Sequence, residues 1–246
     1  MPAINETGHA KNVANFEDLI NFCTSYPTYN PASTALSVAS LSTKLTDART
    51  ALNGVIAAQT TFNNAVNVRM SAFAELFPLC TRAVNALEAA GADAETVKDA
   101  RTINRKLQGQ RAAKADTPPP ANPGDTPPAG KTISASQQSY DQLMEHFAKL
   151  INLLTTIPAY APNETDINLT ALATKLGVLQ TTNSAVSSTY TAWSNSRISR
   201  EETLYNQLTG LVPLAINVKK YIKSLFGAGS PQYEQVNSIN FKTIRP

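Results

Sequence analysis

Residues 16–45 return as residues 147–176 at a constant offset of 131, with 13 of the 30 positions identical. Whatever the first copy folds into, the second must fold into as well. The period is the length of a small domain and there are two copies, which points to a tandem pair and not to a solenoid. Each copy runs from FEDLINFCTSYPTYNP at Phe16, or FAKLINLLTTIPAYAP at Phe147, through a P-x-Y-x-P segment. Further on, the second copy takes about five extra residues, after which Ile103-Asn104 matches Ile239-Asn240.

Both copies carry a helical pattern. Leu41, Leu45, Ala48, Leu52, Val55, Gln59, Phe62, Val66, Arg69, Phe73 and Leu76 are spaced alternately four and three apart, and so are Leu172, Leu176, Leu179, Asn183, Val186, Tyr190, Trp193, Arg197, Arg200 and Leu204. Such a stripe predicts one helix of about 40 residues per copy, with Gly54 and Asn63-Asn64 as points where a hairpin could form instead. Asn30-Pro31 and Pro162-Asn163 supply a capping side chain and a proline at its expected start. Pro78 and Pro213 mark the next helix or a kink; Gly91 and Gly227 mark a stop before a last helix. The expected class is all-α: two tandem, elongated helical bundles, each of a short helix, a long one and two medium ones.

Between the copies, residues 115–131 (ADTPPPANPGDTPPAGK) hold six prolines. That density removes amide donors and favours extended geometry, so the segment reads as a semi-rigid linker. The expected organisation is a tail over 1–13, repeat 1 over 14–114, the linker over 115–131 and repeat 2 over 132–246.

Charge excludes little. Of the chain, 21 residues are basic and 18 acidic, and residues 1–115 and 131–246 carry +2 and +3, so neither half is a polybasic body. Cys23 and Cys80 are matched in the second copy by Leu154 and Ala215, which marks them as buried apolar positions and not as a redox or metal pair. MPAINETGHAKN has no basic stretch followed by an apolar run, and nowhere do about 18 apolar residues follow one another. A cytoplasmic protein is expected, with signal-independent export as the alternative.

Candidate sites are few. Tyr29 and Pro31, matched by Tyr160 and Pro162, are read as a structural corner whose ring packs over helix ends and whose hydroxyl meets a backbone group, so that Tyr160→Phe is expected to be nearly silent. Arg69 and Arg200 share a stripe position; they set register or an interface if buried, and the favoured reading has each stem snorkelling over apolar neighbours. Arg101, Arg105 and Lys106, with Lys219, Lys220 and Lys223, form basic clusters that helix C-terminal ends account for electrostatically. His9 is placed in the tail and His146 beside Glu145 as a surface pair, with no second ligand at metal spacing. No phosphate loop, nucleophile elbow or repeated carboxylate pair is found, so no catalytic, cofactor or metal residue is assigned.

The duplicated FxxLIN…P-x-Y-x-P phrase, the T-K-L at Thr43–Leu45 and Thr174–Leu176, and VKKYIKSLFGAGSPQY together resemble a family of duplicated helical proteins of Bacteroidota. The resemblance spans nearly the whole chain and implies a fold without an activity. The residues thus point to a non-enzymatic structural or scaffold protein. It would bind itself, as a homo-oligomer or filament, or another protein, with two copies giving bivalency. The alternatives are a membrane-active, toxin-like helical protein, a weak nucleic-acid binder through the basic helix ends, and an enzyme or small-ligand binder with a convergent polar pocket.

Overall fold

The structure, a computed structural model, describes residues 6–110 and 138–244. Residues 111–137, and with them the proline-rich segment 115–131, lie outside the described residues, as do Met1 to Asn5. Among the described residues the chain is helical and has no strand. The helices are α1 (Glu6–Ser25), α2 (Val38–Ala74), α3 (Leu76–Ala89), α4 (Ala94–Leu107), α5 (Tyr140–Thr155), α6 (Leu169–Tyr205), α7 (Leu211–Phe226) and α8 (Pro231–Asn237). A single 3-10 turn, Thr34–Leu36, precedes α2.

The two long helices are continuous, 37 residues each, with no hairpin at Gly54 or at Asn63-Asn64. Their stripes explain this. Leu41, Leu45, Ala48, Val55 and Phe73 of α2 are buried, as are Leu172, Leu179, Val186 and Leu204 of α6. A turn inside either helix would pull apart side chains that already share one face.

The chain forms two compact units, and they are not the two sequence halves. The first unit joins residues 1–63 to residues 188–246; the second is residues 64–187. The first therefore contains α1, the beginning of α2, the end of α6, α7 and α8, and its core sets Phe16, Leu19 and Leu41 against Leu211, Val218 and Ile222. The second contains the end of α2, α3, α4, α5 and the beginning of α6, with Leu76, Cys80 and Leu87 packed with Phe147, Leu150 and Leu172. The sequence division at 115–131 follows the repeat. The compact units differ because α2 and α6 each give one end to each of them.

The long helices begin later than the prolines suggested. Their caps are Ser37, whose Oγ accepts from the Ser40 amide at 3.2 Å, and Asn168, whose Oδ1 accepts from the Ala171 amide at 2.8 Å. These two positions are again 131 apart. Between proline and cap, the Tyr29 hydroxyl donates to the Leu36 carbonyl at 2.7 Å and the Tyr160 hydroxyl to the Ile167 carbonyl at 2.6 Å. Each corner is thus closed by one side chain holding the last carbonyls before the cap, which the helix itself leaves without partners. Pro78 and Pro213 are the third residues of α3 and α7, where a missing amide costs nothing. The extra residues of the second copy sit largely at the α6–α7 joint: only Glu75 separates α2 from α3, whereas Asn206–Gly210 separate α6 from α7.

Three further expectations are corrected. The segment taken as a tail is the start of α1, in which His9, Asn12 and Val13 are buried. His146 is 3 % exposed and is no surface pair, since Glu145 bonds instead to Lys149 at 2.6 Å. Burial, with Lys106 and Lys149 nearby, holds the His146 pKa below its usual value. Tyr190, expected inside the stripe, is 48 % exposed. Cys23 and Cys80 are free and buried in separate cores, and burial pushes their thiols up to about 11 and about 12. Both therefore remain neutral thiols at physiological pH, poor nucleophiles and poor metal ligands.

The corner geometry also changes the expected cost of losing a hydroxyl. Tyr160 is 4 % exposed, so Tyr160→Phe strips a buried carbonyl of its donor and should cost roughly 1–2 kcal/mol. Tyr29→Phe, at a half-buried ring, should cost less, and Tyr160→Ala roughly 3 kcal/mol or more. Urea unfolding of the three variants checks the order; a silent Tyr160→Phe would leave the ring, and not the hydrogen bond, as what holds the corner.

Candidate functional site

In the first unit a polar group is buried against the helices. His9 Nδ1 lies 2.7 Å from the Tyr205 hydroxyl, which also accepts from Asn12 Nδ2 at 3.2 Å. On its other side the imidazole Nε2 lies 3.6 Å from Glu201 Oε1. Glu201 in turn accepts from Arg200 Nη2 at 2.8 Å. His9, Asn12 and Arg200 are each only 2 % exposed. The snorkelling expected of Arg200 is therefore wrong: its guanidinium is enclosed. The cluster gathers partners from α1 and α6 that compensate the buried charge. Arg69, in the second unit, is half-buried, bonds Asn183 Oδ1 at 3.1 Å and lies 4.0 Å over the Tyr140 ring.

Beside that cluster, α1 holds the segment 240–244 along its length. Asn12 makes a reciprocal pair with the backbone of Lys242, donating to its carbonyl at 2.7 Å and accepting from its amide at 3.0 Å. Asn15 donates to the Asn240 carbonyl at 2.6 Å. Gly8 leaves room for Ile244: a Cβ there would fall 2.2 Å from Ile244 Cδ1. These amides supply the pairing that a neighbouring strand would give an extended segment. The sequence carried a signal for this: positions 9, 12, 13, 16, 19, 20 and 23 have helical spacing, so the helix extends upstream of Phe16.

The basic residues separate into the two units. Arg101 is engaged by Glu88 at 2.6–2.7 Å; Arg105 and Lys106 lie in the last turn of α4. In α7, Lys219 donates to the carbonyls of Asn237, at 3.3 Å, and Ile239, and burial lowers its pKa. Lys223 lies 5.6 Å over the Tyr233 ring and Lys220 is exposed. Arg101, Lys219 and Lys223 therefore have intramolecular work, and the helix-end account covers Arg105, Lys106 and Lys223.

A cleft of about 540 Å³ in the second unit has Pro78, Leu79, Ala171 and Val178 on its walls. Two ion pairs line it, Glu75 with Lys175 at 2.5 Å and Arg82 with Asp166. Lys175 holds the Glu75 carboxyl below its usual pKa, and Arg82 does the same for Asp166. Carboxylates held ionised in this way are poor general acids at neutral pH.

Aromatic side chains gather where α2 and α6 meet in the first unit. Phe62 stacks on Trp193 with centroids 5.4 Å apart and meets Tyr190 at 5.7 Å; Arg197 lies 5.7 Å over the Trp193 ring. On the same long helices Ile56 is 63 % and Ile198 64 % exposed. Among the described residues no group of three or more His, Cys, Asp or Glu could hold a metal ion, and no helix is long and apolar enough to cross a membrane.

Comparison with protein-family models, with curated proteins and with solved structures finds no match to the chain. The functional reading therefore stands on the geometry.

Asn12→Ala should release the segment 240–244 while leaving α1 in place. The expected result is a loss of about 2 kcal/mol in urea unfolding, with faster proteolysis near Lys242 under native conditions. Unchanged stability and unchanged cleavage would show that the reciprocal pair holds nothing.

Proposed function

We propose that the chain is an internally duplicated, non-enzymatic helical scaffold of the cytoplasm that associates with itself or holds a protein partner. The single observation that carries this reading is the aromatic group of Phe62, Tyr190 and Trp193, whose Tyr190 is exposed, with Ile56 and Ile198 open on the same two helices. Aromatic and aliphatic side chains of this kind are what interface centres are made of, and the fold leaves Tyr190, Ile56 and Ile198 open. The duplication is supported by structure as well as by sequence: the Tyr29 and Tyr160 hydrogen bonds, and the Ser37 and Asn168 caps, recur at the same offset. Two copies of one sequence repeat in a single chain would suit bivalent binding of a partner. The nucleic-acid reading is less supported, because Arg101 and Lys219 are already engaged within their own units.

The test is association before and after the apolar positions are charged. With Ile56→Glu and Ile198→Glu combined, helix content by circular dichroism should be unchanged, since both side chains are exposed. Self-association or partner capture by the unaltered chain should fall at least tenfold. Equal association by the two proteins would show that Ile56 and Ile198 belong to no interface.

A further inference from the structure

The first unit is closed by two pieces of chain that are joined only through the other unit. One piece is residues 6–63 and the other is residues 188–244, with residues 64–187 belonging to the second unit. Its core is divided between them: Phe16, Leu19 and Leu41 come from one piece, Leu211, Val218 and Ile222 from the other, and all six are fully buried. Polar contacts cross the same division. Tyr205 meets His9 and Asn12, Asn12 and Asn15 bind the backbone of Lys242 and Asn240, and the Tyr26 hydroxyl bonds the Gln232 carbonyl at 3.1 Å. Tyr29 also packs edge-on against Tyr221, with centroids 5.3 Å apart.

We propose that these two pieces are an exchangeable pair and that the partner they fit is a second copy of this chain. Piece 6–63 of one copy would close on piece 188–244 of another, rebuilding the first unit with the contacts named above. Opening the unit breaks no covalent bond, and the exchanged contacts are the same as the original ones, so the two arrangements differ chiefly in the entropy of association and in the bending of α2 and α6 between residues 63 and 64 and residues 187 and 188. The contact is heterologous. A copy that gives piece 6–63 to one neighbour keeps piece 188–244 for another, so the chain of copies either closes into a ring or continues as a filament. Within a single copy, the second unit keeps the two pieces tethered to each other, so self-closure wins in dilute solution. Exchange wins when the first unit is opened at high concentration, or when a copy cannot close on itself. This mode of association does not use the Ile56 and Ile198 surface, so the two can fail separately.

Complementation between two damaged copies tests it. Leu19→Asp spoils piece 6–63 and Val218→Asp spoils piece 188–244, so neither variant can close its own first unit. Each nevertheless carries the sound piece that the other lacks. Mixed in equal amounts, they should form a species of twice the 26.4 kDa chain mass by light scattering, with a cooperative unfolding transition that neither shows alone. A chain carrying both substitutions should restore nothing to either single variant. A mixture that keeps the mass of one chain, or single variants that associate as much alone as mixed, would overturn the proposal.

The unaltered protein gives an independent reading. Brought to its urea midpoint at high concentration and returned to buffer, it should leave a ladder of integer multiples of the chain mass. The same chain with Met1 and Pro246 covalently joined should stay at a single mass, whereas association through an exposed face would survive the joining. Absence of the ladder in the linear chain would also overturn the proposal.

Discussion

The packing of α1 against α7 is the contact on which the rest of the molecule depends. Phe16, Leu19 and Ile20 reach Val218 and Ile222 across about two hundred residues of chain, and the loop entropy of that closure must be met before the contact returns anything. Residues 64–187 meet much of it by folding as a unit of their own, which shortens the loop that remains to be closed. The long helices then need no turn, because each end finds its own core. The free thiols, the clipped corners and the buried histidine are arrangements made around these two cores.

Polar side chains perform most of the joinery. Tyr29 and Tyr160 hold carbonyls that precede a helix, Ser37 and Asn168 cap the helix that follows, and Asn12 and Asn15 bind a segment that has no secondary structure of its own. Surface charge contributes less. The Lys98–Glu95 pair is open to solvent on both sides, and pairs of that kind add a fraction of a kcal/mol at most. Low charge with abundant hydroxyl and amide groups thus suits a protein whose joints, and not its ion pairs, define its geometry.

Much of this was legible in the residues. The four-and-three spacing of Leu41 to Leu76 pointed to a long helix and left a hairpin open, whereas α2 runs unbroken to Ala74 and Leu76 opens α3; the identity of FxxLIN in both copies predicted that Phe16 and Phe147 would be equivalent, and both are fully buried. What periodicity does not contain is which core each end of a long helix joins, because a stripe names a face and no partner. The sequence therefore suggested two consecutive bundles, and the structure instead divides each long helix between two units. The capping positions were misplaced because Asn30-Pro31 resembles a helix start, while the chain makes a further turn held by Tyr29 before Ser37. His9 and Arg200 were misread for a related reason: the helical spacing of positions 9, 12, 13 and 16 was not followed upstream of Phe16, and Arg200 carries a charge whose pairing with Glu201, on the same helix, periodicity does not show. The exposed aromatic group was hidden by its own spacing, since Tyr190 fits the stripe whether or not anything covers it.

Each compact unit is built from both halves of the chain, and everything above follows from that sharing. Cleaving the polypeptide at a protease site placed within residues 115–131, and then measuring the native mass by light scattering, tests it most directly. If both units are shared between the halves, the cut protein keeps the full 26.4 kDa as one particle and separates only in denaturant. If the halves are instead independent consecutive bundles, the cut protein parts into two fragments under native conditions, an outcome that contradicts the shared units.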